Sequence, residues 1–209
     1  MQQNQRNYDY LLKIVTEGAI GVGKTCLTQR FHRNTFYDYP GCAIRADFII
    51  RSLNVYENTV KFQVWDPCGP ERCGRLMKPY QRGAMGILLL YDITDRESFI
   101  NLTRHHEDIQ RSAPKNVIVM IVGTKADLED KRVVRIDEAQ DFANGLGCMY
   151  METSAKTGMN VDSLFLVLAK EIIEKKKLRE SNNNNEPVSN IGKIKNSSEG
   201  TKKRPLCIG

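Results

Sequence analysis

The sequence contains no apolar run of the roughly 18–20 residues that a bilayer-spanning helix requires. Its polar opening, Met1 to Asn7, also lacks the hydrophobic stretch of a secretory signal, so the chain is expected in the cytosol unless something anchors it. Histidine is scarce, at 3 residues, and no His or second Cys pair follows Cys68 and Cys73 at a metal-binding spacing, which argues against structural zinc. There is a single Trp and only 8% aromatic residues. No internal repeat is visible. The six cysteines (Cys26, Cys42, Cys68, Cys73, Cys148 and Cys207) read as reduced thiols in a chain without an export signal.

What is present is ordinary for a globular domain: 209 residues, 41% hydrophobic and 27% charged. The net charge of +6 would suit nucleic acid if it were spread over one face. Half of it instead lies after Ser181, where Lys193, Lys195, Lys202, Lys203 and Arg204 face only Glu186 and Glu199. The body is mildly basic, and no nucleic-acid partner is expected. The organisation reads as a short N-terminal extension (residues 1–7), one domain (8–178) and a disordered tail (179–209) whose Asn- and Ser-rich composition cannot offset the entropy of ordering.

Within the domain, short apolar runs alternate with amphipathic stretches, the pattern of a mostly parallel sheet covered on both faces by helices. Strands are expected at Leu11–Thr16, Asp47–Val55, Val60–Trp65, Gly86–Asp92, Val117–Gly123 and Cys148–Glu152. Helices are expected at Lys24–His32, Glu97–Ser112, Ile136–Gly145 and Val161–Leu178. Only Tyr56 to Thr59 separates the second strand from the third, too little for a parallel crossover, so one antiparallel edge strand is expected in a six-stranded sheet.

Gly18-Ala19-Ile20-Gly21-Val22-Gly23-Lys24-Thr25 follows the first strand and opens the first helix with the spacing G-x-x-x-x-G-K-T. Glycines there let consecutive backbone N–H groups point at phosphates, Lys24 reaches the outer phosphates, and the Thr25 hydroxyl can hold Mg²⁺. A second metal anchor is offered by Asp66 at the end of the third strand, in the D-x-x-G spacing Asp66-Pro67-Cys68-Gly69. Two more strand ends carry Thr124-Lys125-Ala126-Asp127 and Thr153-Ser154-Ala155-Lys156. The Asp127 carboxylate suits the paired N1 and N2 donors of guanine, and the stems of Lys125 and Lys156 can cover the ring.

This ordered set resembles the Ras superfamily of small GTPases, from about Tyr8 to Leu178. Tyr80 to Gly86, Leu90 to Asp95 and Lys61 to Asp66 resemble its Rab branch most closely. The resemblance implies a P-loop G domain and a nucleotide site made of Gly18, Ala19, Ile20, Gly21, Val22, Gly23, Lys24, Thr25 and Cys26. To these it adds Asp66, Pro67, Cys68, Gly69 and Pro70, then Thr124, Lys125, Asp127, Ser154, Ala155 and Lys156. Thr25 and Asp66 are the implied metal anchors. The implied first switch, read by effector proteins, comprises Pro40, Gly41, Cys42, Ala43, Ile44, Arg45, Ala46, Asp47 and Phe48.

Several positions depart from the family pattern. Ala43 stands where a metal- and γ-phosphate-sensing Thr is usual, and Pro70 replaces the Gln that orients the attacking water, removing both a side-chain amide and an N–H. Ile20 crowds a P-loop position usually held by a small residue, and Thr124 replaces an Asn, a change expected to weaken guanine binding modestly. Glu17 puts a carboxylate just before the phosphate loop where the family has an apolar side chain. Such a group, if buried, needs a partner or a proton.

The expectation is therefore a Rab-like switch binding GTP or GDP with Mg²⁺, acting in vesicle traffic as a monomer, with no intact catalytic Gln and slow hydrolysis. The alternative is a non-hydrolysing binding module. The resemblance further implies an exchange factor, and escort and prenylation machinery acting on Cys207. The basic tail and lipid would hold a pool on the cytoplasmic face of a membrane, with the remainder soluble. Cys207 lies third from the end, one position short of a C-a-a-X box, so simple prenylation of that kind is excluded and escort-assisted modification is the route expected.

Overall fold

Two runs in the chain, Gly86–Asp92 and Ile118–Thr124, are buried at every residue. Strands of that kind have no wet face and must lie mid-sheet with cover above and below. The computed structural model describes residues 7–36, 47–67 and 74–183. In chain order these form β1 (Tyr10–Gly18), α1 (Lys24–Arg33), β2 (Asp47–Val55), β3 (Asn58–Asp66), α2 (Gly74–Gln81), β4 (Gly86–Asp92), α3 (Arg96–Ile100) and α4 (Leu102–Ser112). They continue with β5 (Ile118–Thr124), a 3₁₀ turn (Glu129–Lys131), α5 (Ile136–Gly145), β6 (Met149–Glu152) and α6 (Val161–Asn183).

The strands make one sheet in the order β2-β3-β1-β4-β5-β6. All neighbours are parallel except β2 and β3, which pair antiparallel from Asp47 opposite Asp66 to Val55 opposite Asn58. The expected mixed sheet with one antiparallel edge is thus present. Its hairpin is tighter than expected, because Asn58 and Thr59 belong to β3 and Tyr56 turns the chain at φ 54°.

Helices cover both faces. On one, Phe31 of α1 stacks on Phe165 of α6 with ring centroids 3.6 Å apart, while Phe62 of β3 meets it edge-on at 5.6 Å. On the other, Tyr91 of β4, Phe99 of α3 and Phe142 of α5 pack in series beside Leu102 and Ile109 of α4. Fully buried aromatic side chains such as Phe31 each cost roughly 3–5 kcal/mol when cut to Ala, so α1 is held rigidly behind the loop that precedes it.

Four elements differ from the sequence expectation. The helix expected over Glu97–Ser112 is two, meeting at Asn101; backbone bonds Asn101 N to Glu97 O (3.0 Å) and His105 N to Asn101 O (3.1 Å) make the break a local one. α2 was not expected, because Gly74 and the internal Pro79 both speak against helix, but Met77 and Tyr80 pack on the second core and tertiary burial prevails. The 3₁₀ turn was also not expected. α6 runs through Arg179 to Asn183, into the stretch read as tail; its exposed last turns carry Lys–Glu pairs at helical spacing, Lys175 with Glu171 and Lys176 with Glu180.

Parallel pairing brings the C-terminal ends of β1, β3, β4 and β5, namely Gly18, Asp66, Asp92 and Thr124, to one edge of the sheet. Open α/β sheets bind ligands along that edge.

Candidate functional site

The loop after β1 is shaped by backbone conformations that side chains resist. Gly18 has φ 137°, and a Cβ there would lie 2.3 Å from Leu90 O. Gly23, at φ 96°, caps α1 without a side-chain bond, leaving the first amides of that helix to face a ligand. Ala19 and Val22 turn their side chains into the core, so the loop presents backbone inward, whereas Ile20 stands 51% exposed at its rim. Lys24 Nζ donates to Gly18 O (2.8 Å) and Ala19 O (2.7 Å), folding its ammonium over the cradle.

Across the cradle, Thr25 Oγ1 donates to Asp66 Oδ2 at 2.6 Å and Thr16 Oγ1 donates to Asp66 Oδ1 at 3.0 Å. The hydroxyl of Thr25 and the almost fully buried carboxylate of Asp66 form a hard oxygen pair, the donor chemistry Mg²⁺ takes alongside phosphate oxygens. The residues present therefore fit the metal that the sequence implies. Pro67, which follows, is buried. Cys68, Gly69 and Pro70 lie outside the described residues, as do Cys73, Pro40 to Ala46 and Cys207.

The residues expected to read the base also converge. Ser154 Oγ donates to Asp127 Oδ1 at 2.6 Å, and Ala126 N donates to Thr153 O at 3.1 Å, so the loops after β5 and β6 are tied together. Lys125 occupies φ 60° and pairs with Asp92 at 2.5 Å, which fixes its stem. Thr124 Oγ1 shares its proton between Val22 O (2.6 Å) and Tyr91 O (2.8 Å), linking the phosphate loop to β4. One residue that the sequence reading missed supports the whole arrangement: Arg30 of α1 donates from Nε to Ala155 O (2.5 Å) and from its terminal nitrogen to Lys156 O (2.6 Å). Helical spacing alone places it on α1 but does not reveal which loop it reaches.

Behind that loop, Arg132 grips both oxygens of Glu152 (2.8 and 2.7 Å), and Tyr150 donates to Glu152 Oε1 at 2.7 Å. Tyr150 and Tyr91 share a bond at 3.0 Å, and burial pushes the Tyr91 phenol up to about 12. These neutral hydroxyls and the paired charges fix the end of β6 from which Ser154, Ala155 and Lys156 hang.

Glu17 is 4% exposed, which excludes a solvated edge position. Its Oε1 accepts from Gln81 Nε2 of α2 at 2.6 Å, and Gln81 Oε1 accepts a short bond from Ser112 of α4. Burial raises its carboxyl to about 7, opposed by the Gln81 bond, with Asp108 pushing it further up and Lys24 pulling it down. His105 and His106 are half-buried on α4. The His106 ring lies 3.9 Å from the Cys148 sulfur, and burial lowers its pKa.

Of the expected effector segment, β2 contains Asp47 and Phe48. Phe48 is 40% exposed on the outer sheet face against Trp65 (4.7 Å), which in turn meets Tyr80 of α2 at 5.9 Å, with Lys13 Nζ 5.1 Å over the indole.

The sheet order, the glycine-shaped loop opening α1 and the acid at the end of β3 define a P-loop α/β domain with G-domain architecture. Comparison with known proteins agrees. The Ras family model matches residues 13–174. The chain is 40% identical over 186 residues to the GTP-binding protein ypt2 of Schizosaccharomyces pombe, covering 89% of this chain and 92% of that one. It is 42% identical over 182 residues to the Ras-related protein Rab-13 of Bos taurus, covering 87% and 90%. The chain belongs to the Ras family, in its Rab branch. Among the described residues, no helix is long and apolar enough to cross a membrane.

Proposed function

We propose that this chain is a Rab-type guanine-nucleotide switch of vesicle traffic that holds GTP or GDP with Mg²⁺ and hydrolyses GTP very slowly. The observation that carries this reading is the convergence at one sheet edge of the Lys24 cradle, the Thr25–Asp66 pair and the Ser154–Asp127 pair. In this reading the amides of the loop and the N-terminus of α1 bind the phosphates, and Lys24 moves its ammonium from Gly18 O and Ala19 O onto them. Thr25 and Asp66 hold Mg²⁺, which when bound neutralises phosphate charge. Asp127, positioned by Ser154, accepts the paired donors of guanine, while Lys125 and Lys156 cover the ring.

The slow hydrolysis follows from what three side chains no longer supply. Pro70 cannot orient water, Ala43 cannot ligate the metal, and Ile20 at the exposed rim of the loop obstructs an incoming arginine. Because phosphoryl transfer is mostly positioning and charge stabilisation, these losses act on the same barrier. Exchange factors and effectors would act at the switch surface beside Phe48, and the tail would reach a cytoplasmic membrane face through lipid on Cys207.

Identifying the nucleotide released from purified protein by chromatography tests the reading. Guanine nucleotide supports it; adenine nucleotide alone, or no uptake of added GTP and GDP, overturns it.

A further inference from the structure

A carboxylate that is almost fully buried and, among the described residues, has no positively charged side chain bonded to it is an unusual feature directly before a phosphate loop. Glu17 lies on β1 opposite Leu89 of β4, on the sheet face covered by α2 and α4. That is the face opposite Thr16, whose hydroxyl reaches Asp66, so Glu17 is separated by the sheet from the metal pair. The groups facing it among the described residues are Gln81 of α2, Asp108 and Ser112 of α4, and, through space, Lys24 of α1.

The chain Glu17–Gln81–Ser112 can be satisfied in two ways. With Glu17 ionised, Gln81 Nε2 donates to it, and Ser112 donates to Gln81 Oε1. With Glu17 protonated, its O–H can donate to the amide oxygen after the Gln81 amide flips, and the amide nitrogen then donates to Ser112. Ser112 then turns its own proton to Asp108 O, already 2.6 Å away. Both states keep Glu17 Oε1, the Gln81 amide and the Ser112 hydroxyl in hydrogen bonds, so the network tolerates both charges at Glu17 and turns a change in its protonation into a reorientation at the end of α2.

We propose that Glu17 is a proton site linked to nucleotide binding, taking up a proton when the phosphate cradle is filled and passing that change through Gln81 to α2. The inference rests on the reading of the loop as a phosphate site. Phosphates bring negative charge to the loop that Glu17 immediately precedes. They also engage Lys24, the one cation acting on this carboxyl among the described residues. Both effects favour the neutral acid, and the proton comes from solvent. Burial already brings Glu17 to about 7 before phosphate is added, so the uptake falls within the physiological range. By linkage, affinity is highest below this value and declines as pH rises above it.

The experiment is a GDP titration in excess Mg²⁺ between pH 6 and 8.5 by calorimetry, in buffers of different ionisation enthalpy, on the parent and Glu17→Gln. The variant mimics the protonated acid and cancels the titration of the nucleotide itself. The parent should take up more protons than the variant near pH 7.5. Its dissociation constant should also rise about tenfold more across the range, matching a roughly tenfold tighter hold on the Glu17 proton in the complex. Equal proton uptake and equal pH slopes in the two proteins overturn the linkage while leaving the nucleotide site intact; absence of GDP binding in the parent overturns the site reading and the linkage with it. Carbon-13 NMR of the Glu17 carboxyl in the parent gives a readout free of substitution. Its titration midpoint should move up when GDP is added, and an unmoved midpoint refutes the proposal.

Discussion

In the proposed function, single side chains divide the site into a part that binds and a part that has lost its chemistry. Asp127, held by Ser154, is the proposed base-selecting group. Asp127→Ala should weaken GDP binding by at least about 2–3 kcal/mol, since two base donors lose their acceptor in a closed site; unchanged affinity for a labelled guanine nucleotide would refute the assignment. Gly18 has a different duty. With its would-be Cβ 2.3 Å from Leu90 O and φ at 137°, Gly18→Ala should lower the urea midpoint of the whole domain, and a parent-like midpoint would show that β1 and β4 can part without penalty. The candidate site is legible in the sequence where its pattern is local: the spacing G-x-x-x-x-G-K-T and the acid after an alternating strand are visible as letters. It identified Glu17 as anomalous without its partner, because Gln81 stands 64 positions away and only the crossing of α2 over β1 brings them together.

At the scale of elements, what matters is which helix holds which loop. α1 begins at the proposed phosphate cradle and, through Arg30, holds the carbonyls of Ala155 and Lys156, so the proposed phosphate and base subsites share one rigid rod. Arg30→Met should speed GDP release about tenfold, the effect of losing roughly 1.4 kcal/mol of loop anchoring. Arg30→Lys should rescue only part of this, because a point donor cannot span two carbonyls. Stopped-flow release of a fluorescent GDP measures it, and parent-like rates for both variants would remove Arg30 from the site. The strands were legible because buried parallel runs and an alternating edge hairpin are each distinctive in sequence, and β2, β4 and α5 fall where expected. α2 was not, since its helix owes more to Met77 and Tyr80 finding the second core than to the propensity of Gly74 and Pro79. The extra length of α6 was missed for the opposite reason: its last turns are polar throughout and continue through ion pairs at helical spacing, a signal that composition alone reads as tail.

The molecule as a whole combines a sheet edge arranged for nucleotide with a buried acid beneath it. Because the folded protein raises Glu17 from 4.5 to about 7, it holds a proton that the unfolded chain has released. Stability is therefore greatest at low pH as far as this group is concerned and falls as pH rises from about 4.5 to about 7, by on the order of 3 kcal/mol. Urea midpoints of the parent and Glu17→Gln, taken side by side in excess GDP, should diverge in the variant's favour from about pH 5 to pH 8; parallel curves would show that the carboxyl is not desolvated. In the tail, the proposed lipid on Cys207 and the basic run Lys202-Lys203-Arg204 would together meet the two-signal requirement for stable attachment. Cys207→Ser should move the chain from membranes to the soluble fraction of its native cells, whereas an unmodified Cys207 in a membrane-free parent contradicts the anchor. The central claim, an intact nucleotide site coupled to a disabled hydrolytic apparatus, is tested most directly by a single-turnover assay. The parent is loaded with GTP and Mg²⁺, and the GTP and GDP it holds are quantified over time beside a reference small GTPase that carries the Gln, the Thr and the small P-loop residue this chain lacks. The account predicts that GTP stays bound and unhydrolysed well after the reference has converted its own, with Pro70→Gln restoring little of the rate; conversion at the reference rate, or full rescue by that one substitution, contradicts it.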